Sequence, residues 1–149
     1  MTSRLFSTDP RRQGTGLAIL RIITGIVFMA HGGQKLFGYG FAGVTGAFTQ
    51  MGIPLPGITG PLVSILEFFG GLALVIGLLT RLAALGLAIN MLGAILLVHL
   101  AAGFFLPNGY EFALTLLAGM VALAVGGPGI LSVDEAIVRR RALRITTGR

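Results

Sequence analysis

The sequence predicts an all-α protein: a four-transmembrane-helix bundle with a capping extracytoplasmic loop and a short C-terminal interfacial helix. Three observations lead there. Charged residues make up 11% of the chain and hydrophobic ones 54%, for a mean hydropathy of +0.92. A soluble domain carries about 25% charged residues, so this much apolar surface cannot be hidden in one small core. The apolar residues also fall into four runs, each near the ~20 residues that cross a ~30 Å hydrocarbon layer. Finally, the runs are separated by short stretches rich in Gly, Pro, Asn or charge, which break helices.

Taken in order, residues 1–15 read as a polar, disordered cytoplasmic tail carrying Pro10 and the pair Arg11–Arg12. A twin-arginine export signal is the sharper alternative, but no small-residue cleavage site follows it and further spans do. The transmembrane domain covers residues 16–131. Its first span runs from Gly16 to about Ala30. The second starts at Pro61, a good first-turn residue, and ends near Leu79. A tight connection through Thr80 and Arg81 leads into the third, Leu82 to Leu100. Pro107, Asn108 and Gly109 break it, and the fourth runs from Glu111 to Val125, closed by "GGPG".

Residues 40–60 form the one long loop. Within it, Gly43 to Met51 fits two helical turns stopped by Gly52, with Pro54 soon after. Phe37, Tyr39, Phe41 and Phe48 suit a membrane interface, so the loop is expected to cap the outer face. Residues 132–149 form a basic cytoplasmic segment opening on Ser132 and Glu135, the form of a capping box. Its arginines would meet anionic headgroups, making the lipid bilayer the expected partner and nucleic acid not one.

Charge placement sets the orientation. Arg4, Arg11 and Arg12 precede the first span, Arg81 sits in the middle turn, and Arg139, Arg140, Arg141, Arg144 and Arg149 follow the fourth. The other two loops hold only Lys35. Positive residues stay inside, so both termini are expected in the cytoplasm. The absence of cysteine removes disulfides, thiolate catalysis, iron–sulfur clusters and cysteine zinc sites. Only His31 and His99 are present, so no histidine metal cluster is expected either.

The informative residues are those that lipid excludes. Arg21 lies within the first span, Glu67 within the second, Asn90 mid-way along the third and His99 near its outer end, while Glu111 opens the fourth. An ionised side chain near mid-membrane costs about 2.5–3.5 kcal/mol even on a lenient scale, so each should face the bundle interior. At about 100° per residue, Arg21, Thr24, Gly25, Phe28 and Lys35 share one face. Lys35 lies ~21 Å further along the axis than Arg21. Glu67 shares its face with Gly60, Ser64, Gly70 and Gly71, small residues that admit a close neighbour.

Depth then gathers His31, Gln34, Lys35, Glu67, His99 and Glu111 in the outer half, with Arg21 lower and Asn90 the nearest polar residue to it. These eight residues form the candidate ligand-binding cluster. Holding four helices in register is the plainer role for such a cluster. A Glu inside a span is by default a functional hypothesis.

The stretches "RIITGIVFMAHGGQKLFG", "GIPLPGITGPLVSILEFFGGLALVIGLLTRLAALGLAINM" and "GPGILSVDEAI", in this order and spacing, resemble the DoxX family of bacterial inner-membrane proteins. The resemblance spans about Ala18 to Ile137, and Arg21, His31, Gln34, Lys35 and Glu67 match the polar positions of the family pattern. It implies a multi-pass inner-membrane protein linked to quinone or catechol stress and to oxidoreductase assemblies, with a quinone as candidate cofactor. Oxidoreductase subunits and self-association are the partners it implies, and no catalytic assignment comes with it. The expected function is therefore a quinone-interacting component. The alternatives are a small-solute or proton transporter, or an anchoring subunit without chemistry of its own.

Overall fold

A computed structural model describes residues 9–147, with side chains through residue 143. The first helix, α1, spans Pro10–Gly33 and widens into a π-helical stretch, Gln34–Tyr39, before α2, Gly40–Gln50. It starts earlier than Gly16 because Asp9 and Pro10 form a start signal inside the polar segment. The Asp9 carboxylate accepts from Arg11 N at 2.9 Å, and Pro10 occupies the first turn. Residues 10–15 are thus helical rather than a disordered tail. Residues 1–8, with Arg4, and Arg149 at the other end lie outside the described residues.

After Gly52 (φ +70°) stops α2, α3 spans Pro56–Ile76. It begins a turn and more before Pro61, because Pro56 already fills the first-turn place. Pro61 lies in the second turn, where its missing N–H forgoes one helical bond. The turn through Gly77 (φ +72°) leads to α4, Thr80–Ala94, which continues as a π-helical stretch, Ile95–His99, and a short 3-10 turn, Leu100–Ala102. Then come α5, Glu111–Gly126, and α6, Val133–Thr147. Ser132 Oγ accepts from Glu135 N at 3.1 Å, which caps α6. Glu135 does not return the bond but pairs with Arg139 at 2.7 Å, so only half of the capping box forms.

Among the described residues, three helical stretches are long and apolar enough to cross a membrane: Pro10–Gln50, Pro56–Ile76 and Thr80–Ala102. A shorter apolar helix, the 16-residue α5, joins them. The main packing is α1 on α3 and α4 on α5, with α3–α4 and α1–α5 contacts closing the ring and α2 lying against α3.

The distribution of side chains inverts that of a soluble bundle. On α3, Ile58, Leu62, Ile65, Phe69, Leu72 and Ile76 are exposed at helical spacing, while Gly60, Ser64, Glu67 and Gly71 are buried. Small residues inside let backbones approach in an environment that gives apolar side chains no reason to hide. A Cβ on Gly32 would stand 2.2 Å from Phe68 N, and one on Gly71 would stand 2.5 Å from Met29 N. The α1–α3 seam is therefore closed to any larger residue. A larger apolar core, with Phe28, Leu74, Leu87, Met91, Met120 and Leu123, fills the space between the helix pairs.

The start of α1, the α3–α4 turn and the segment before α6 meet at one end of the bundle. Ile130 N donates to Gly14 O at 3.1 Å and Asp134 N to Gly77 O at 2.9 Å. The π-helical stretches and α2 belong to the other end.

Candidate functional site

Arg21 is fully buried, and its partners are carbonyls. Nη1 donates to Leu74 O (2.7 Å) and Val75 O (3.0 Å), and Nη2 to Leu131 O (3.1 Å). Leu74 and Val75 close α3, where the helix dipole is negative and carbonyls lack helical partners. Asn90, the polar residue nearest to Arg21 in depth, is not among these partners and bonds Glu67 instead. Arg81 repeats the device: Nη1 donates to Ala124 O and Val125 O of α5, both at 2.8 Å. Asp134 supplies the complement, accepting from Leu79 N (2.8 Å) and Thr80 N (2.9 Å) at the start of α4. Arg21, Arg81 and Asp134 at this end serve helix termini, and the ion pairs here, Asp9–Arg12 and Glu135–Arg139, lie on the surface within one helix turn.

At the opposite end the charges meet each other. Lys35 Nζ pairs with Glu67 Oε2, and Asn90 Nδ2 donates to Glu67 Oε1 at 3.0 Å. Both carboxylate oxygens are thereby engaged from two sides, by α1's extension and by α4. Glu67 is only 4% exposed, and Lys35 is half-buried. A carboxylate in that setting requires such partners, since an isolated buried charge is strongly unfavourable.

Two cavities adjoin at this pair, and both are lined by Lys35, Glu67, Ala94 and His99. One, of about 240 Å³, is walled by His31, Phe28, Phe112, Met91 and Leu116. The His31 and Phe112 rings lie 6.2 Å apart, tilted by 51°. The other, of about 400 Å³, is mostly aliphatic, with Met51, Ile53, Val63, Leu97 and Val98. We refer to them as the aromatic and aliphatic cavities. His99 Nδ1 lies 2.9 Å from Asn108 O, a carbonyl that can only accept. In the neutral ring Nδ1 therefore carries the proton and Nε2 is left as the acceptor.

Of the eight candidate residues, Lys35, Glu67 and Asn90 are hydrogen-bonded together, and His31 and His99 line the same space. The other three are elsewhere. Gln34 is exposed and lines neither cavity, because the helix widens at this residue and the uniform 100° rotation no longer holds. Glu111 accepts from Leu106 N at 2.8 Å, tying down the loop before α5 instead of joining the cluster. Arg21 serves the other end, as above.

The DoxX family profile matches residues 16–100, more than half of the chain. The chain belongs to the DoxX family. All of the candidate residues except Glu111 lie within that match. Among curated proteins, "Inner membrane protein YqjF" of Escherichia coli is 37% identical over 134 residues, covering 86% of this chain and 96% of its own. "Putative oxidoreductase CatD" of Bacillus subtilis is 34% identical over 125 residues, covering 83% and 88% respectively. A Mycobacterium tuberculosis membrane protein, Rv3486, is 35% identical over 132 residues, covering 81% and 80%. No solved structure matches the chain.

In this DoxX-family membrane protein, sequence reasoning did not single out Phe112, Gly93 or Asp134. Phe112 follows Glu111 directly and shares no motif with His31. Gly93 follows Asn90 by one helical turn, a spacing that could have marked it as the same face. Asp134 lies two residues beyond the cap Ser132, and the N–H groups that donate to its carboxylate belong to a distant turn that no local pattern announces.

Proposed function

We propose that this protein is a quinone-interacting component of a bacterial inner-membrane oxidoreductase or quinone-stress system. The observation that carries the reading is the Lys35–Glu67–Asn90 chain at the junction of two apolar cavities, with His31 and His99 beside it. Ligand pockets combine apolar walls with a few convergent polar groups, and this one fits a flat ring bearing carbonyl oxygens. Lys35 and His31 would donate to those oxygens, and Glu67 and His99 would accept or return protons. A bound quinone would supply the electron-accepting chemistry, which the side chains of this region lack. The family membership and the name of the Bacillus relative favour the same reading.

The bundle in this reading crosses the membrane with four helices, α5 being the last. The arginines of α6 lie along the interface, and both termini are cytoplasmic. Support comes from the shared end at which α1 begins and α6 attaches. That end carries Arg11, Arg12, Arg81 and Arg139, whereas Lys35 at the other end is already paired.

Quinone binding to the purified protein tests the proposal, with wild type compared against Glu67→Gln and His31→Ala. Each variant is expected to weaken binding about tenfold, the loss of one buried polar contact. Equal binding by all three proteins, strong or negligible, would overturn it.

A further inference from the structure

The two cavities differ in chemistry, and the difference points to a ligand with two parts. The aromatic cavity holds both histidines with Phe28 and Phe112, a setting for a flat polar ring. The polar side chains of the aliphatic cavity are Lys35, Glu67, Asn90 and His99 at its inner wall and Thr59, whose hydroxyl already donates to Pro54 O and Leu55 O. Beyond them it is lined by Ile53, Val63 and Val98 with one aromatic ring, Phe48, and its rim is formed by Met51 (45% exposed) and Leu97 (55% exposed). Leu97 belongs to the same apolar perimeter as Ile89 and Leu96, so the cavity opens sideways onto the surface that faces lipid. Gly93 lines the aliphatic cavity, and a Cβ built there meets nothing within 4 Å. The absence of a side chain at 93 therefore keeps this space open; no close helix approach demands glycine here.

We propose that the aliphatic cavity is the tail channel of the site. It takes the long alkyl or prenyl chain of an amphiphilic ring ligand whose head lies against Lys35 and Glu67, and it lets that ligand enter from within the bilayer. The preferred substrates are then membrane-soluble tailed rings rather than small water-soluble ones. The inference rests on the quinone reading above and adds the class of quinone.

Two probes with one benzoquinone ring test it, one bearing a ten-carbon alkyl chain and one bearing none. Their binding to the full-length protein in lipid nanodiscs is compared with that of Gly93→Leu and Gly93→Ala. Leucine is a better helix former than glycine, so the variant fills the channel without weakening α4. Gly93→Leu is expected to weaken the tailed ring about tenfold or more by overfilling the space, with a smaller loss for Gly93→Ala. The tail-less ring should bind all three proteins within about twofold of one another. If Gly93→Leu weakens neither probe, the tail stays in the bilayer or lipid chains fill the cavity, and the proposal falls. If it weakens both equally, the cavity belongs to the ring and the proposal also falls. Failure of wild type to bind either probe would remove the quinone reading itself.

Discussion

At one end of the bundle, Arg21 and Arg81 each bridge two consecutive carbonyls that close a neighbouring helix. At the other end, Lys35 reaches across to the Glu67 side chain with a cavity on either side. The two arrangements bury charge by different routes. Helix-end carbonyls are held by the backbone and cannot turn toward an incoming ligand, so the arginines are committed to the fold. A Lys–Glu pair has rotatable stems on both partners, and the adjoining space gives them somewhere to go. Charge alone does not distinguish a structural site from a ligand site; the mobility of its acceptors does.

The sharpest way to break this comparison is to replace Arg21. Arg21→Met removes a fully buried guanidinium and its donors to Leu74 O, Val75 O and Leu131 O, leaving Leu74 O with Gly77 N. The expected loss is at least ~3 kcal/mol, read as a collapse of folded yield and of the unfolding midpoint in detergent. Arg81→Met removes an exposed donor and should cost about 1 kcal/mol. Equal effects would mean that burial does not separate the two arginines.

The Lys35–Glu67 pair should be nearly as sensitive, but reparable. Lys35→Met alone leaves the Glu67 carboxylate without its counter-charge, held by Asn90 only, and should cost about 3 kcal/mol. The double variant Lys35→Met/Glu67→Leu should regain at least half of that stability while ligand binding stays lost. Additive losses in the thermal midpoint would show that the two groups are not coupled.

The smallest effect belongs to Asp134. Asp134→Ala removes the acceptor for Leu79 N and Thr80 N and should cost about 1 kcal/mol, the usual value of a helix cap. Faster hydrogen exchange confined to those amides would show it. An effect on ligand binding instead would mean that the two ends are linked more tightly than their separate hydrogen bonding implies.

Much of the inner surface was legible beforehand. Of the faces expected from helical spacing, Arg21, Thr24, Gly25 and Phe28 on α1 and Gly60, Ser64, Glu67 and Gly71 on α3 are buried, while Lys35 and Gly70 are half-buried. The partners were harder to read. Backbone carbonyls have no signature in a sequence, so the acceptors of Arg21 could not be foreseen. Depth marked Asn90 as the polar residue nearest to Arg21, and the packing of α4 against α3 hydrogen-bonds it to Glu67. Gln34 and Glu111 failed for local reasons: a widened helical turn carries one away, and a nearby loop N–H captures the other.

The glycine seam between α1 and α3 has a mechanical consequence. Gly25 and Gly71, and Gly32 and Phe68, meet with backbones nearly touching, so no layer of side chains lies between them to slide. Lys35 and Glu67 thus project from what is effectively one plate. The contact of α3 with α4 is cushioned by whole leucines, Leu66 against Gly86 and Leu87 against Gly70. Side-chain contacts of that kind can slip where backbone contacts cannot. The site therefore has one wall set by backbone contact, α1 with α3, and one set by side-chain contact, α4 with its π-helical end and His99.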